Sequence, residues 1–235
     1  IAGSGPLLLA AAATARRAGA LVLRVAEQAP PGRLAAFAAG LPRWPAKAAQ
    51  AVALLDRHYR MGSHVLRAQG EGRLQAVQLR TGHGGTEAIA CEHLACGFGL
   101  VPNVQLGLLL GLALDARGGL ATDERQHGSQ PGIYAAGENT GIGGSERALL
   151  QGAIAGHAAV GDLASLPVLQ RRRRRWQAFA DAAYTCFQPP AAALRDLPHA
   201  DTLVCRCEDV PWSAVQACSG WVDAKLHTRC GMGAC

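Results

Sequence analysis

Aromatic residues are scarce in this sequence, at 5% of the chain, and charged residues are few, at 17%. The first shortage argues against nucleic-acid readers that interleave stacking aromatics with arginines, and a net charge of +6 is too moderate to suggest one. The second, set beside 49% hydrophobic residues, excludes a disordered chain. No charge-free apolar stretch reaches the roughly 18–20 residues needed to cross a bilayer. The longest candidates, residues 6–15 and 104–114, stop short. No secretory signal is visible. A disulfide framework is missing too: of eight cysteines, five fall in the last 31 residues, four of them in two close pairs at spacings that suit metal ligation in a reducing compartment.

What fills the chain instead is Ala, Leu and Gly, so its cores are expected to be aliphatic and rich in helix. At 235 residues there is room for one large domain or two modest ones. Residues 7–18 carry a helix pattern closed by Gly19. Residues 20–26 read as a buried strand followed by Glu27. Helices are expected over 32–40 and 46–58, broken by Pro42 and Pro45, and short antiparallel strands over 65–68, 74–80 and 87–91. A further strand at 94–97 completes the alternation of an α/β nucleotide-binding domain with an antiparallel crossover.

From Gly132 the texture changes. An apolar strand over 132–138 is expected to meet a glycine-rich turn at 141–144 and a small-residue helix over 145–160. A helix over 167–184 carries five consecutive arginines, Arg171 to Arg175, and Pro189-Pro190 marks a linker before a cysteine domain near Asp201. The expected division is a Rossmann-like nucleotide domain over 1–100, the C-terminal part of an FAD-binding domain over 101–165, a helical linker over 166–200 and a cysteine domain over 201–235. Because Ile1-Ala2-Gly3 reads as the last turn of a strand, the sequence is taken as a fragment lacking most of that strand, and is expected to be poorly stable alone.

Three motifs carry chemistry. Gly3-x-Gly5 opens a helix, with Glu27 after the next strand. Such glycines let the backbone approach a pyrophosphate, the helix N-terminus offers free N–H groups, and an acid about 20 residues on is placed for a ribose hydroxyl. Leu8 stands where a third glycine belongs, so a nucleotide-binding loop and an inherited turn that no longer binds both stay open. The second motif is Gly137-Glu138 followed by the turn containing Gly143 and Gly144 at the head of a helix. It is similar to the end of the FAD domain in flavoenzymes with two dinucleotide-binding domains. There an acid, usually Asp, bonds the ribityl or pyrophosphate region, and the helix N-terminus favours reduced flavin. A generic turn between strand and helix is the alternative.

The third motif pairs Cys205-Arg206-Cys207 with Cys230-Gly231-Met232-Gly233-Ala234-Cys235. Four thiolates in two close pairs suit a [2Fe–2S] cluster, with structural zinc or unmetallated cysteine as alternatives. Gly231 and Gly233 offer amides to cluster sulfurs, and Arg206 and Arg229 offset its charge. Cys91, Cys96, Cys186 and Cys218 read as small buried hydrophobes. His127 reads as a loop residue, and neither His64 nor His93 is given a ligand role. The arginine run reads as solvated charge, with docking to a partner subunit or a phosphate as the lesser reading.

Four stretches together resemble one family. They are Gly3-Ser4-Gly5-Pro6-Leu7-Leu8, Cys96-Gly97-Phe98-Gly99-Leu100-Val101-Pro102-Asn103, Gly137-Glu138-Asn139-Thr140-Gly141-Ile142-Gly143-Gly144, and Val204-Cys205-Arg206-Cys207-Glu208-Asp209-Val210. The chain resembles the FAD/NAD(P)-binding subunits of opine oxidases, dye-linked proline dehydrogenases and hydrogen cyanide synthase over nearly its whole length. The spacing from Cys230 to Cys235 agrees with the opine-oxidase group and departs from the C-x-x-C of ferredoxin-like domains in nitrite reductases.

The resemblance implies an α/β flavoprotein with a small helical [2Fe–2S] domain and a preceding FAD-binding half with its own glycine loop. It implies a catalytic partner subunit that oxidises an amine or amino acid, and electrons passing from flavin through the cluster to an acceptor protein or quinone. Gly137, Glu138, Gly143 and Gly144 would contact FAD. Gly3, Gly5 and Glu27 would contact NAD(P) or ATP, or the second site would hold nothing. Cys205, Cys207, Cys230 and Cys235 would hold iron. No general base is apparent, which suits a relay. The expected location is the cytoplasm or, peripherally, the inner membrane face. An NAD(P)H-dependent reductase and a non-catalytic zinc or redox-sensing module are the competing readings.

Overall fold

In a computed structural model, which describes residues 1–189 and 198–233, four short strands form the central parallel sheet. They are β1 (Ala2–Gly3), β2 (Val25–Glu27), β3 (Tyr59–Arg60) and β7 (Cys96–Gly97), in the order β3-β2-β1-β7. All three pairings are parallel, with Ala2 opposite both Ala26 and Cys96. Between β3 and β7 runs an antiparallel meander of β4 (His64–Gln69), β5 (Ala76–Arg80) and β6 (Thr86–Ala90). Alternation places Val77 and Leu79 of β5 on one face, where they pack with Ala2 and Ala26.

The chain crosses from β1 to β2 through α1 (Leu7–Arg17), whose Leu8 and Ala12, one helical turn apart, pack on Val22 and Val25. Gly19 follows the helix at φ +89°, as a C-terminal glycine should. The expected strand over 20–26 shrinks to the three residues of β2. Its neighbour β1 offers only two residues to pair with, and Leu21 is exposed. From β2 to β3 run α2 (Pro31–Gly40) and α3 (Pro45–Leu54), joined by a 3-10 turn over Leu41–Arg43, so the expected helix over 46–58 ends early.

Beyond β7, α4 (Gln105–Leu109) is a short helix that the sequence patterns did not suggest. The strand expected over 132–138 does not form. Gly132 and Gly137 adopt φ of +74° and +93° at its two ends. Between them only a single bridge joins Tyr134 to His127. Ile133 and Ala135 still face inward, against Leu112 and Leu120. A 3-10 turn (Glu138–Thr140) then leads to α5 (Ser145–Ala159) and α6 (Leu166–Phe187).

The helix expected over 167–184 forms as α6, packed on α5 and α2. Phe37, Trp44, Trp176, Phe179 and Phe187 meet there, with ring centroids 5.4 to 6.0 Å apart. Five of the chain's eleven aromatics thus gather in one seam.

The chain divides into two compact units, Ile1–Gln188 and Pro189–Cys235. Pro190 of the expected linker lies outside the described residues. The second unit contains an antiparallel pair, β8 (Leu203–Cys205) with β9 (Val210–Pro211), and two short helices, α7 (Trp212–Gln216) and α8 (Trp221–Thr228). Its core is Cys205, Val210 and Cys230, with Ala214 and Val215 packed against them.

Candidate functional site

The turn at the head of α5 brings together the four residues expected to contact flavin. Gly137 is in a positive-φ conformation, as are Gly141 and Gly144, and this bends the chain back on itself over eight residues. The Glu138 carboxylate oxygen Oε1 accepts the backbone N–H groups of Gly143 at 3.3 Å and Gly144 at 2.9 Å. An acid here answers the partial positive charge of the α5 N-terminus.

Arg147, Gln151 and Thr140 fix this turn, and none of them stands out in the sequence motifs. Arg147 donates to the carbonyls of Gly141 at 2.6 Å and Thr140 at 3.0 Å, and to Gln177 Oε1 of α6 at 2.7 Å. Gln151 accepts the Gly137 N–H at 3.0 Å and bonds the Thr140 hydroxyl. The signal that could have found them is spacing: positions 147 and 151 are one helical turn apart and put two long polar side chains on one side of α5. A side chain at Gly143 would lie 2.4 Å from Arg147 Cδ, so the turn closes only with glycine there.

This arrangement fits a flavin nucleotide. The glycines expose backbone, Glu138 stays exposed, and Asn139 Oδ1 is a buried oxygen with no partner. Leu120 N–H donates to the Asn139 carbonyl at 2.8 Å, which anchors the turn to the preceding loop.

In the second unit, Cys205 and Cys230 are both buried and share one cluster. The Gly231 N–H points at Cys205 Sγ at 3.3 Å. That amide, joined by those of Glu208 and Cys207, holds the Cys205 thiol below the usual range, as a metal ligand requires. Burial, and then the neighbouring Cys205, push Cys230 the other way. Arg229 adopts φ +61° at the end of α8 and pairs with Glu208 at 2.9 Å, which turns the chain so that Cys230 faces inward. Cys207 is exposed, and a side chain at Gly233 would lie 2.1 Å from Cys207 Cβ, so the two ends of the motif approach closely.

Cys235, the fourth expected ligand, lies outside the described residues. Among the described residues no group of three or more His, Cys, Asp or Glu side chains is gathered as for a metal ion. The thiols and inward amides that are described suit a sulfur-ligated centre in their chemistry.

The first glycine loop is arranged differently from the nucleotide site expected of it. Glu27 is fully buried, at 0% exposure. Its Oε2 accepts the Gly5 N–H at 2.9 Å and the Tyr59 hydroxyl at 3.3 Å, and its Oε1 the Ala29 N–H at 2.8 Å. Burial, and then the Glu27 charge, drive the Tyr59 hydroxyl far above its ordinary pKa. Gly3, at φ +149°, faces β7: a side chain there would lie 1.8 Å from the Gly97 carbonyl oxygen. Glu27 therefore meets Gly5 directly and has no exposed oxygen for a ribose, and the residues do not fit a bound NAD(P) or ATP.

The arginine run is only partly solvated. Arg174 pairs with Glu124 at 3.4 Å, Arg175 donates to the Arg43 carbonyl at 2.7 Å, and Arg173 Nε is buried. Of the remaining cysteines Cys186 is buried, Cys91 and Cys218 are partly so, and Cys96 is exposed, unlike its expected role. His127 lies on a loop, as expected, and pairs with Asp123 at 3.2 Å.

The sequence pattern of the family described as "Pyridine nucleotide-disulphide oxidoreductase" matches residues 1–159. The chain is 30% identical over 267 residues to the hydrogen cyanide synthase subunit HcnB of Pseudomonas aeruginosa, covering 100% of this chain and 57% of that protein. It is also 30% identical over 263 residues to an opine oxidase subunit of Rhizobium meliloti (strain 1021), covering 99% and 56%. The chain spans about half the length of these curated relatives. Thioredoxin reductase of T. acidophilum overlays 51% of this chain and 40% of its own, at 27% identity and a TM-score of 0.42.

Proposed function

Because the chain belongs to the pyridine nucleotide-disulphide oxidoreductase family, we propose that it is the flavin-bearing, electron-relaying part of an amine- or opine-oxidising complex. The observation that carries the reading is the turn at the head of α5, where Glu138 gathers the Gly143 and Gly144 amides within the residues the family pattern covers. Gly137, Glu138, Gly143 and Gly144 would hold FAD. Cys205, Cys207, Cys230 and Cys235 would hold a [2Fe–2S] cluster. When bound, FAD supplies two-electron acceptance and the cluster supplies one-electron transfer onward.

The chain's own residues position and tune. Arg147 and Gln151 hold the turn in shape, with Glu138 on its Gly143 and Gly144 amides, and the N-terminus of α5 stabilises negative charge placed before it. Gly231 N–H aimed at sulfur would raise the potential of a centre bound there. Substrate oxidation falls to a partner subunit, in line with the relatives' names as subunits. The acceptor would be a protein or a quinone. Among the described residues no helix is long and apolar enough to cross a membrane.

The test is an absorption spectrum of the full-length protein with its partner subunit, taken anaerobically. Flavin bands with a broad visible shoulder, both bleached by an amino acid or opine, are expected, together with iron and acid-labile sulfide in equal amounts. A colourless protein containing zinc would overturn the reading in favour of a metal-binding module.

A further inference from the structure

In sheets of this topology a dinucleotide lies beyond the C-terminal ends of the parallel strands, with its pyrophosphate on free N–H groups of the loop after the first strand. In this chain the donors of residues 4 to 6 are already engaged or missing. Ser4 N–H donates to the Gly97 carbonyl at 2.7 Å, Gly5 N–H donates to Glu27, and Pro6 has no N–H. Gly3 owes its lack of a side chain to the close approach of β7, and Leu8 turns its side chain into the core. Gly3, Ser4, Gly5 and Leu8 thus serve purposes other than phosphate.

The space above the loop is filled by the end of α6. The Ser4 hydroxyl lies 3.2 Å from Glu27 Oε1 and bonds the Phe187 carbonyl, and Arg33 reaches the Gln188 carbonyl at 3.3 Å. The Phe187 ring stands edge-on to Phe37 at 5.4 Å. Cys186 is buried, and burial, followed by the charge of Glu27, pushes its thiol up to about 11. Glu27 cannot swing out to a ribose without leaving the buried Gly5 and Ala29 amides and the half-buried Tyr59 hydroxyl without an acceptor.

We propose that the glycine loop is a closed joint that anchors the last turn of α6, with Glu27 as its internal ligand, and that it binds neither NAD(P)H nor ATP. Electrons consequently do not enter this chain as hydride from a nicotinamide. The joint uses none of the residues assigned to flavin or cluster, so it stands independently of the relay reading.

The full-length protein with its partner subunit is titrated with NADH, NADPH and ATP at millimolar concentration by calorimetry, while iodoacetamide labelling of each cysteine is followed by peptide mass spectrometry. No nucleotide binding is expected, and Cys186 should label at least about tenfold more slowly than exposed Cys96, because labelling waits on a local opening. Glu27→Gln attacks the joint directly but is prone to misfolding. Phe187→Ala keeps Glu27 and removes the ring that stands against Phe37, and it should speed Cys186 labelling about tenfold without changing that of Cys96. Binding of NADH or ATP by the unaltered protein, or Cys186 labelling as fast as Cys96, would overturn the joint. A protein without flavin that still excludes nucleotides and protects Cys186 would refute the relay reading alone.

Discussion

At the scale of single residues, the turn before α5 depends on one missing methyl group. Gly143→Ala would drive its Cβ to 2.4 Å from Arg147 Cδ, and the guanidinium would have to give up Thr140, Gly141 and Gln177. A loss of about 1–3 kcal/mol is expected in denaturant melts, since buried carbonyls are left unpaired. Arg147→Lys should also weaken flavin retention, because an ammonium cannot span the same acceptors as a planar fork. Release of bound flavin on dilution would measure it.

Asp162 makes a separate prediction. Hydrogen bonds from the Ser165 hydroxyl, and then from His157, hold its carboxyl below the ordinary 3.8. A depressed folded-state pKa contributes stability above the unfolded value and loses it as pH falls through the folded one. Asp162→Asn should therefore lower the melting temperature at neutral pH, and the difference should shrink as pH drops below 3.8. Thermal melts across that range would show whether it does.

At the scale of elements, the parallel sheet is unusually short, and its centre has no room to spare. Gly3→Ala would place a methyl 1.8 Å from the Gly97 carbonyl oxygen, which is expected to separate β1 from β7 and abolish a cooperative melt by circular dichroism. The α6 seam should behave differently: Phe179→Ala removes a half-buried ring between Phe37, Trp44 and Trp176, and a cost of about 2–3 kcal/mol is expected in denaturant melts.

The long helices and the antiparallel meander were legible in the sequence because their signals are local. Periodicity, capping glycine and turn residues announced α1, α5, α6 and β4 to β6 within one to three residues. The strand expected over 132–138 failed for a reason no local pattern carries. An apolar run becomes a strand only when another segment lies alongside to take its hydrogen bonds, and here only a single bridge to His127 does so.

At the scale of the whole molecule, the first unit leaves Leu100, Val101, Leu106 and Leu109 well exposed within ten residues of sequence. Apolar side chains gathered in this way favour association. Leu106→Lys together with Leu109→Lys should reduce concentration-dependent light scattering without changing far-UV circular dichroism, as neither side chain is buried. The two compact units each carry a core of their own, so a chain ending at Gln188 should keep the melt of the first unit. A shift of more than a few degrees would show that the second unit contributes to it.

Read alone, the sequence determined the α/β class, the cysteine-bearing second unit and the acid–glycine turn before α5. Each is written in residues close together along the chain, where spacing alone fixes which side chains meet. What Glu27 does was decided only by the tertiary structure. Its motif is that of a ribose ligand, but its carboxylate is claimed by Gly5, Ala29 and Tyr59, while the end of α6 reaches back over the loop. A buried charge must find donors, and which ones it finds depends on segments up to 183 residues apart folding onto one another.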